Sequence, residues 1–125
     1  MRDDKGNLIV TLSFEFAISI IEFSEFLESQ KKYVIAKQLL RSGTSIGANV
    51  HEAQNAESKA DFIHKLKIAS KEADETHYWL KLCESSKSYP SPGTLTEDLL
   101  SVIRVLLKII GTSKRSIKSS NPQIV

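Results

Sequence analysis

Residues 41–53 read RSGTSIGANVHEA, a run dense in Gly, Ser and Thr between the pair Leu39-Leu40 and a long charged segment. Two structures fit such a composition: a loop that cradles a ligand with its backbone, or a helix stripped of bulk so that it can lie against a neighbour. Spacing separates them. A phosphate-binding GxxxxGK[ST] loop places four residues between its glycines and a Lys after the second, whereas Gly43 and Gly47 are separated by three and followed by Ala48. The dinucleotide pattern GxGxxG is also missing. At about 100° per residue, Ile35, Leu39, Ile46, Val50 and Ala53 fall on one face, with Gly43, Gly47 and Ala36 beside them. The run therefore reads as a helix. Each mid-helix glycine costs about 1 kcal/mol relative to Ala, so close packing against another helix has to offset both. Ser42, Ser45 and Asn49 gather on an adjoining side with Gln38 and Glu52. This polar ribbon is expected to hydrogen-bond to another helix or subunit, since buried polar groups are partnered.

The helical period continues on both sides of this run. From Ser13 to about Ser29, Phe16, Ile20, Phe23 and Leu27 recur at steps of four, three and four, one buried stripe. A short polar joint, ESQKK, leads into the second helix, from Tyr33 to about Ala56. Ser58 with Asp61 is a capping-box-like start for a third helix reaching about Ser86, lined by Phe62, Leu66, Ala69, Ala73 and Leu80. YPSPG cannot continue a helix, and Thr94 with Glu97 opens a fourth, lined by Leu95, Leu99, Val102, Leu106 and Ile109 and fading near Gly111. No two-residue apolar alternation competes with these segments. The expected architecture is all-α: a lead-in over 1–12, an antiparallel up-down-up-down four-helix bundle over 13–111, and a basic, flexible tail over 112–125.

The chain of 125 residues has room for one domain with a real core, and its 41% apolar and 26% charged residues suit a soluble globular protein. Met1-Arg2-Asp3-Asp4-Lys5 lacks an apolar signal core, and no stretch approaches the roughly eighteen uncharged apolar residues of a membrane span. A cytoplasmic location with no membrane partner is the expectation. Cys83 is the single cysteine, so neither an internal disulfide nor a multi-cysteine zinc site can form, and it reads as a small semi-buried helix residue. The net charge of +2 is unevenly spread, with −4 over residues 1–30, +4 over 31–51, −3 over 52–98 and +5 over 99–125.

Catalytic chemistry finds little support. His51, His64 and His77 recur every thirteen residues, which is about 20 Å of helix and too far for His64 and His77 to share a metal. Asp61/His64 and Asp74/His77 have the i, i+3 spacing of carboxylate-bridged di-iron bundles, but such sites also need an inward Glu from each of two further helices. The fourth helix offers acids only at its start, Glu97 and Asp98. Arg41 and His51 lie about 80° apart on the wheel and more than two turns along it, so they do not converge on one phosphate as a helical RNase would require. Neither an enzymatic activity nor a cofactor, metal or small-molecule substrate is expected.

Surplus apolar and basic residues point to association instead. Phe14, Ile18 and Ile21 form a second stripe on the first helix among Glu15, Glu22 and Glu25. Ile68, Trp79 and Leu82 do the same on the third, on the side of Glu72 and Glu75. Large apolar groups rimmed by charge mark interfaces, in this case between copies of the chain. Lys31, Lys32, Lys37 and Arg41 near the start of the second helix, with Arg104, Lys108, Lys114, Arg115 and Lys118 late in the chain, are candidate contacts to RNA or DNA phosphates.

Residues 39–82, LLRSGTSIGANVHEAQNAESKADFIHKLKIASKEADETHYWLKL, closely resemble the bacterial four-helix-bundle proteins encoded by intervening sequences within 23S rRNA genes. Gln38, Arg41, Ser45, Ile46, Asn49 and Glu52 carry the likeness in the second helix, and Ala69, Glu72, Glu75, Thr76, Trp79 and Leu80 in the third. Phe16 and Ala17 fit the first helix, and the match extends loosely to Ile110. The resemblance implies a bundle that assembles into a ring, commonly a pentamer, with no established catalysis. A relative, the accessory protein of diversity-generating retroelements, is thought to engage reverse transcriptase and nucleic acid through a basic ring. The function expected is a self-assembling adaptor, with nucleic-acid binding by basic rims as the alternative.

Overall fold

The computed structural model describes residues 7–119. Four helices account for most of them: α1 (Leu8–Ser29), α2 (Tyr33–Ala53), α3 (Lys59–Ser85) and α4 (Leu95–Ser119). Consecutive helices pack together and α4 closes against α1, while α1 does not meet α3, nor α2 meet α4. The result is a four-cornered bundle. Antiparallel order shows in the cross-helix pairs: Arg41 and Ser42 meet Glu72 to Thr76, whereas Glu52 further along α2 meets Lys65 further back on α3. No helix among the described residues is long and apolar enough to cross a membrane.

The core is one cluster running through all four helices, with Ile20, Leu27, Leu39, Ile46, Leu66, Leu80, Leu99 and Leu106 fully buried. Its stripes are rotated slightly from the expected ones. Phe23, Ile35, Phe62 and Ile109 are only partly buried, and Ile9, Ala36, Ile63 and Ile110 hold inner positions. Ser13, Ser42 and Thr76 are buried in line with the apolar residues.

The glycines of α2 do what their spacing implies. A Cβ on Gly43 would stand 2.8 Å from Ile20 Cγ2, and one on Gly47 would stand 3.2 Å from the Ser13 carbonyl oxygen. Bare glycine thus lets the α1 and α2 backbones approach more closely than alanine would permit. At the far end of this pair, Asn7 Nδ2 donates to Gln54 Oε1 at 2.7 Å.

Two boundaries and one capping contact differ from the sequence reading. Helix α1 starts at Leu8 rather than Ser13, so residues 8–12 belong to the bundle. Helix α4 runs through Gly111 to Ser119, because one isolated glycine does not stop a helix and Ile110, Ser113 and Ile117 continue its inner face. Residues 112–119 are therefore helix rather than flexible tail, and the remainder of the expected tail, 120–125, lies outside the described residues. Thirdly, Thr94 Oγ1 donates to Asp98 rather than engaging Glu97. Ser58 behaves as expected, accepting from the Asp61 backbone N–H at 3.0 Å.

The joint between α1 and α2 is a Schellman turn. Lys32 N donates to Leu27 O at 2.8 Å and Lys31 N to Glu28 O at 2.9 Å, with Lys31 at φ 62°. That conformation suits glycine and costs an L-residue about 1–2 kcal/mol.

Two substitutions test this description. Replacing Gly43 by Ala gains about 1 kcal/mol of helix propensity and loses about 1–3 kcal/mol to overpacking against stiff, buried Ile20. A net loss of about 1 kcal/mol is expected in urea melts. Lys31→Gly should move the same midpoint the other way, by about 1 kcal/mol, by relieving the left-handed backbone.

Candidate functional site

The seam between α2 and α3 gathers most of the polar side chains singled out in those helices. Close packing of α2 on α1 turns Ser42 toward α3, where its hydroxyl lies 2.9 Å from Thr76 Oγ1, both fully buried. Ser42 Oγ also reaches the Gln38 carbonyl at 2.9 Å, and Thr76 Oγ1 the Glu72 carbonyl at 2.7 Å. Each hydroxyl has one hydrogen, so one donates to its own helix and the other donates across the seam; both are satisfied either way.

Beside this pair, toward solvent, Arg41 spans two carboxylates one turn apart on α3. Nη1 donates to Glu72 Oε1 at 3.1 Å and Nη2 to Glu75 Oε2. The same Glu75 oxygen accepts from Trp79 Nε1 at 3.0 Å, and the Trp79 ring meets Tyr78 edge-on at 5.2 Å between centroids. Arg41 first and Trp79 second hold the Glu75 carboxyl below its usual range, and Glu75 in turn raises the Arg41 guanidinium. Farther along, Lys65 Nζ donates to Glu52 Oε1 at 2.9 Å, which raises the Lys65 amine.

Outside the seam, α1 and α2 bound an open groove of about 410 Å³ whose walls include Phe14, Ala17, Thr44, Gly47, Ala48 and His51. Phe14, Ile18 and Ile21 are 66%, 44% and 36% exposed. No group of three or more His, Cys, Asp or Glu side chains converges among the described residues. Cys83 is buried, and burial, with a lesser contribution from Glu84, pushes its thiol up to about 11, away from the reactive thiolate.

The sequence pattern of the 23S rRNA-intervening sequence proteins matches residues 5–110, a span that takes in the whole α2/α3 seam. The chain belongs to that family. A crystal structure of a protein of unknown function from the S23 ribosomal protein family of Bacteroides thetaiotaomicron VPI-5482 is similar, with 45% identity and a TM-score of 0.78. The match covers 82% of this chain and 97% of that one. No curated protein matches.

Of the family-pattern residues, Arg41, Glu72, Glu75, Thr76 and Trp79 thus meet at the α2/α3 seam, Gln38 lends its carbonyl to Ser42 of the same helix, and Gly43 and Gly47 serve the α1 contact. Ser45 and Asn49 do not reach another helix: their side chains donate to the Arg41 and Ser45 carbonyls of α2 itself. Of that ribbon, Ser42 and Glu52 cross to α3.

The proposed interface residues separate into two groups. Those on α1 are exposed, whereas Ile68, Trp79 and Leu82 are only partly so, and Trp79 packs against the core. The exposed aromatic of that region is Tyr78, at 55%. Of the first basic group, Arg41 is paired with Glu72 and Glu75, Lys32 lies 5.3 Å from the Tyr89 ring centroid, and Lys31 is exposed while its backbone forms the turn. Lys37 stays exposed.

On α4, Arg104, Lys108, Lys114 and Arg115 are exposed, while the Lys118 side chain lies outside the described residues. Lys114 stands beside Lys67 of α3, which depresses the Lys114 amine. Sequence reading passed over Lys67, since only the α3/α4 packing brings it to the α4 cations.

The Glu75 carboxyl has a lower pKa in the fold than in the unfolded chain. Its contribution is therefore complete above the unfolded value and vanishes as pH falls through the folded one. Glu75→Gln should cost about 0.5 kcal/mol at neutral pH, the scale of an exposed pair. In urea melts the gap from wild type should close as pH drops through the carboxylate range, and a pH-independent gap would rule out the charge as its source.

Proposed function

We propose that this member of the 23S rRNA-intervening sequence protein family is a self-associating, non-enzymatic module of the cytoplasm that acts as an assembly or adaptor protein. Its working form is a ring of identical copies, five being the number that family resemblance favours. The observation that carries this reading is the uncovered α1 stripe. Phe14, Ile18 and Ile21 lie on one side of a helix whose opposite side already fills the core with Ile9, Phe16, Ile20 and Leu27. Single exposed apolar residues are ordinary on a protein surface. A row at steps of four and three, rimmed by Glu15, Glu22 and Glu25, is the form of an interface centre with a charged margin.

Sedimentation or light scattering at micromolar concentration should give a mass several times that of the 14.0 kDa protomer. Introducing Phe14→Glu together with Ile18→Glu should return the protomer with unchanged helical circular dichroism, because neither side chain belongs to the core. A wild-type protein that remains a protomer at high micromolar concentration would overturn the reading.

One observation favours a second reading, binding of RNA or DNA by the basic face. The Lys67 and Lys114 amines repel each other, and a phosphate between them would relieve that repulsion. Binding of this kind weakens steeply with salt. Retention of mixed RNA fragments at low salt, lost on Lys67→Glu with Lys114→Glu, would support it; equal retention by that variant would sink it.

A further inference from the structure

Positive charge and apolar surface coincide along the seam between α3 and α4. From Leu99 onward α4 carries Arg104, Lys108, Lys114, Arg115 and Lys118 and no Asp or Glu. Arg104, Lys108 and Lys114 form no ion pair among the described residues. Leu100, Leu107 and Lys114 recur every seven residues, which places them along one helix face, and the two leucines are 39% and 56% exposed. On α3, Lys67, Asp74 and Lys81 recur at the same interval and are exposed as well. Two contacts align these rows. Thr96 Oγ1 donates to Glu84 Oε2 at 2.9 Å near one end, and the Lys114 amine stands beside that of Lys67 near the other. The antiparallel register between these ties sets Leu100 about level with Lys81 and Leu107 about level with Asp74. The seam thus presents a two-leucine strip flanked by cations from both helices, with Asp74 between Lys67 and Lys81.

We propose that this seam docks an acidic amphipathic helix of a partner protein, its apolar stripe on Leu100 and Leu107 and its carboxylates beside Arg104, Lys108, Lys67 and Lys81. Such a partner deepens the adaptor role proposed above and rests on it. A helix laid into a groove by its apolar face is a recurrent mode of recognition, and charges on the margin steer the encounter and fix the register. From Leu100 to Lys114 the strip runs about 21 Å, the length of about four helical turns. The apolar centre decides the class of partner. Nucleic acid would meet the same cations, but contacts to phosphate and sugar would leave the two leucines without apolar cover. An acidic helix matches both features. It is also turned away from the other exposed apolar row, because Phe14, Ile18 and Ile21 stand among Glu15, Glu22 and Glu25 and like charges oppose association.

The probe is a synthetic helix of about five turns with Leu along one face and Glu elsewhere. In fluorescence anisotropy at physiological salt, the full chain should bind it at least about tenfold more tightly than polyglutamate of equal length, which offers charge without the apolar stripe. Leu100→Ser with Leu107→Ser, and separately Arg104→Glu with Lys108→Glu, should each weaken binding by about 10- to 100-fold with helical circular dichroism unchanged. Phe14→Glu with Ile18→Glu, on a different face, should leave binding within about threefold of wild type. A peptide that binds no better than polyglutamate, or equally well to the leucine variant, would overturn the proposal. So would single-stranded RNA that binds more tightly than the peptide and is released by the Arg104 and Lys108 substitutions, since nucleic acid would then be the occupant. Sedimentation of the same samples keeps the two claims apart: a wild type that assembles but ignores the peptide overturns the docking alone, and a protomer that binds the peptide overturns self-association alone.

Discussion

The close approach of α1 and α2 at Gly43 and Gly47 governs the geometry of this bundle. An added methyl at either position would meet Ile20 or the Ser13 backbone, so the distance between these helices is set by the absence of side chains. Two interior glycines weaken α2 as an isolated helix by roughly 2 kcal/mol, and burying Leu39, Ile46 and Val50 offsets that loss. The consequence extends beyond the pair. With the α1 side of α2 defined by Ala36, Gly43 and Gly47, the opposite edge of its buried face carries Ser42 to α3, and Arg41 follows it at the solvent margin.

The α2/α3 seam therefore differs in kind from the α1/α2 contact. Its outer ion pairs are exposed, and such pairs add little to stability. Their value is geometric. Arg41 reaches both Glu72 and Glu75 at this register of α2 against α3, and the buried Ser42–Thr76 hydrogen bond favours the same register. Glu75 also anchors the Trp79 indole and thereby the Tyr78 edge contact. A small set of polar atoms thus specifies a pairing that apolar residues alone, interchangeable at steps of three and four, would leave loosely defined.

Much of this was legible in the residue pattern. Helix number, helix type and the small-residue contact follow from the four apolar stripes, the proline break and the spacing of Gly43 and Gly47. What escaped notice has identifiable causes. Wheel arguments score size and polarity, so they favoured Phe23 and Phe62 for inner positions where Ser13, Ala36 and Thr76 are buried. Gly111 resembles a stop in the sequence, although the inner face continues through Ser113 and Ile117. The left-handed turn at Lys31 carries no glycine and so no local signal. The partial covering of Trp79 and Leu82, like the meeting of Lys67 with Lys114, depends on packing between helices that no single segment encodes.

The surface left over after folding is organised. Eleven large apolar side chains are exposed among the described residues, which alone means little for a chain of this size. Their distribution carries more weight. On α1 three of them share a face with carboxylates, and on α4 two share a face with cations, whereas within the seam opposite charges already neutralise one another. A bundle whose helices merely needed solubility would mix signs along each exposed face. Segregating them by helix sacrifices local ion pairing and leaves an acidic α1 row and a basic α4 row.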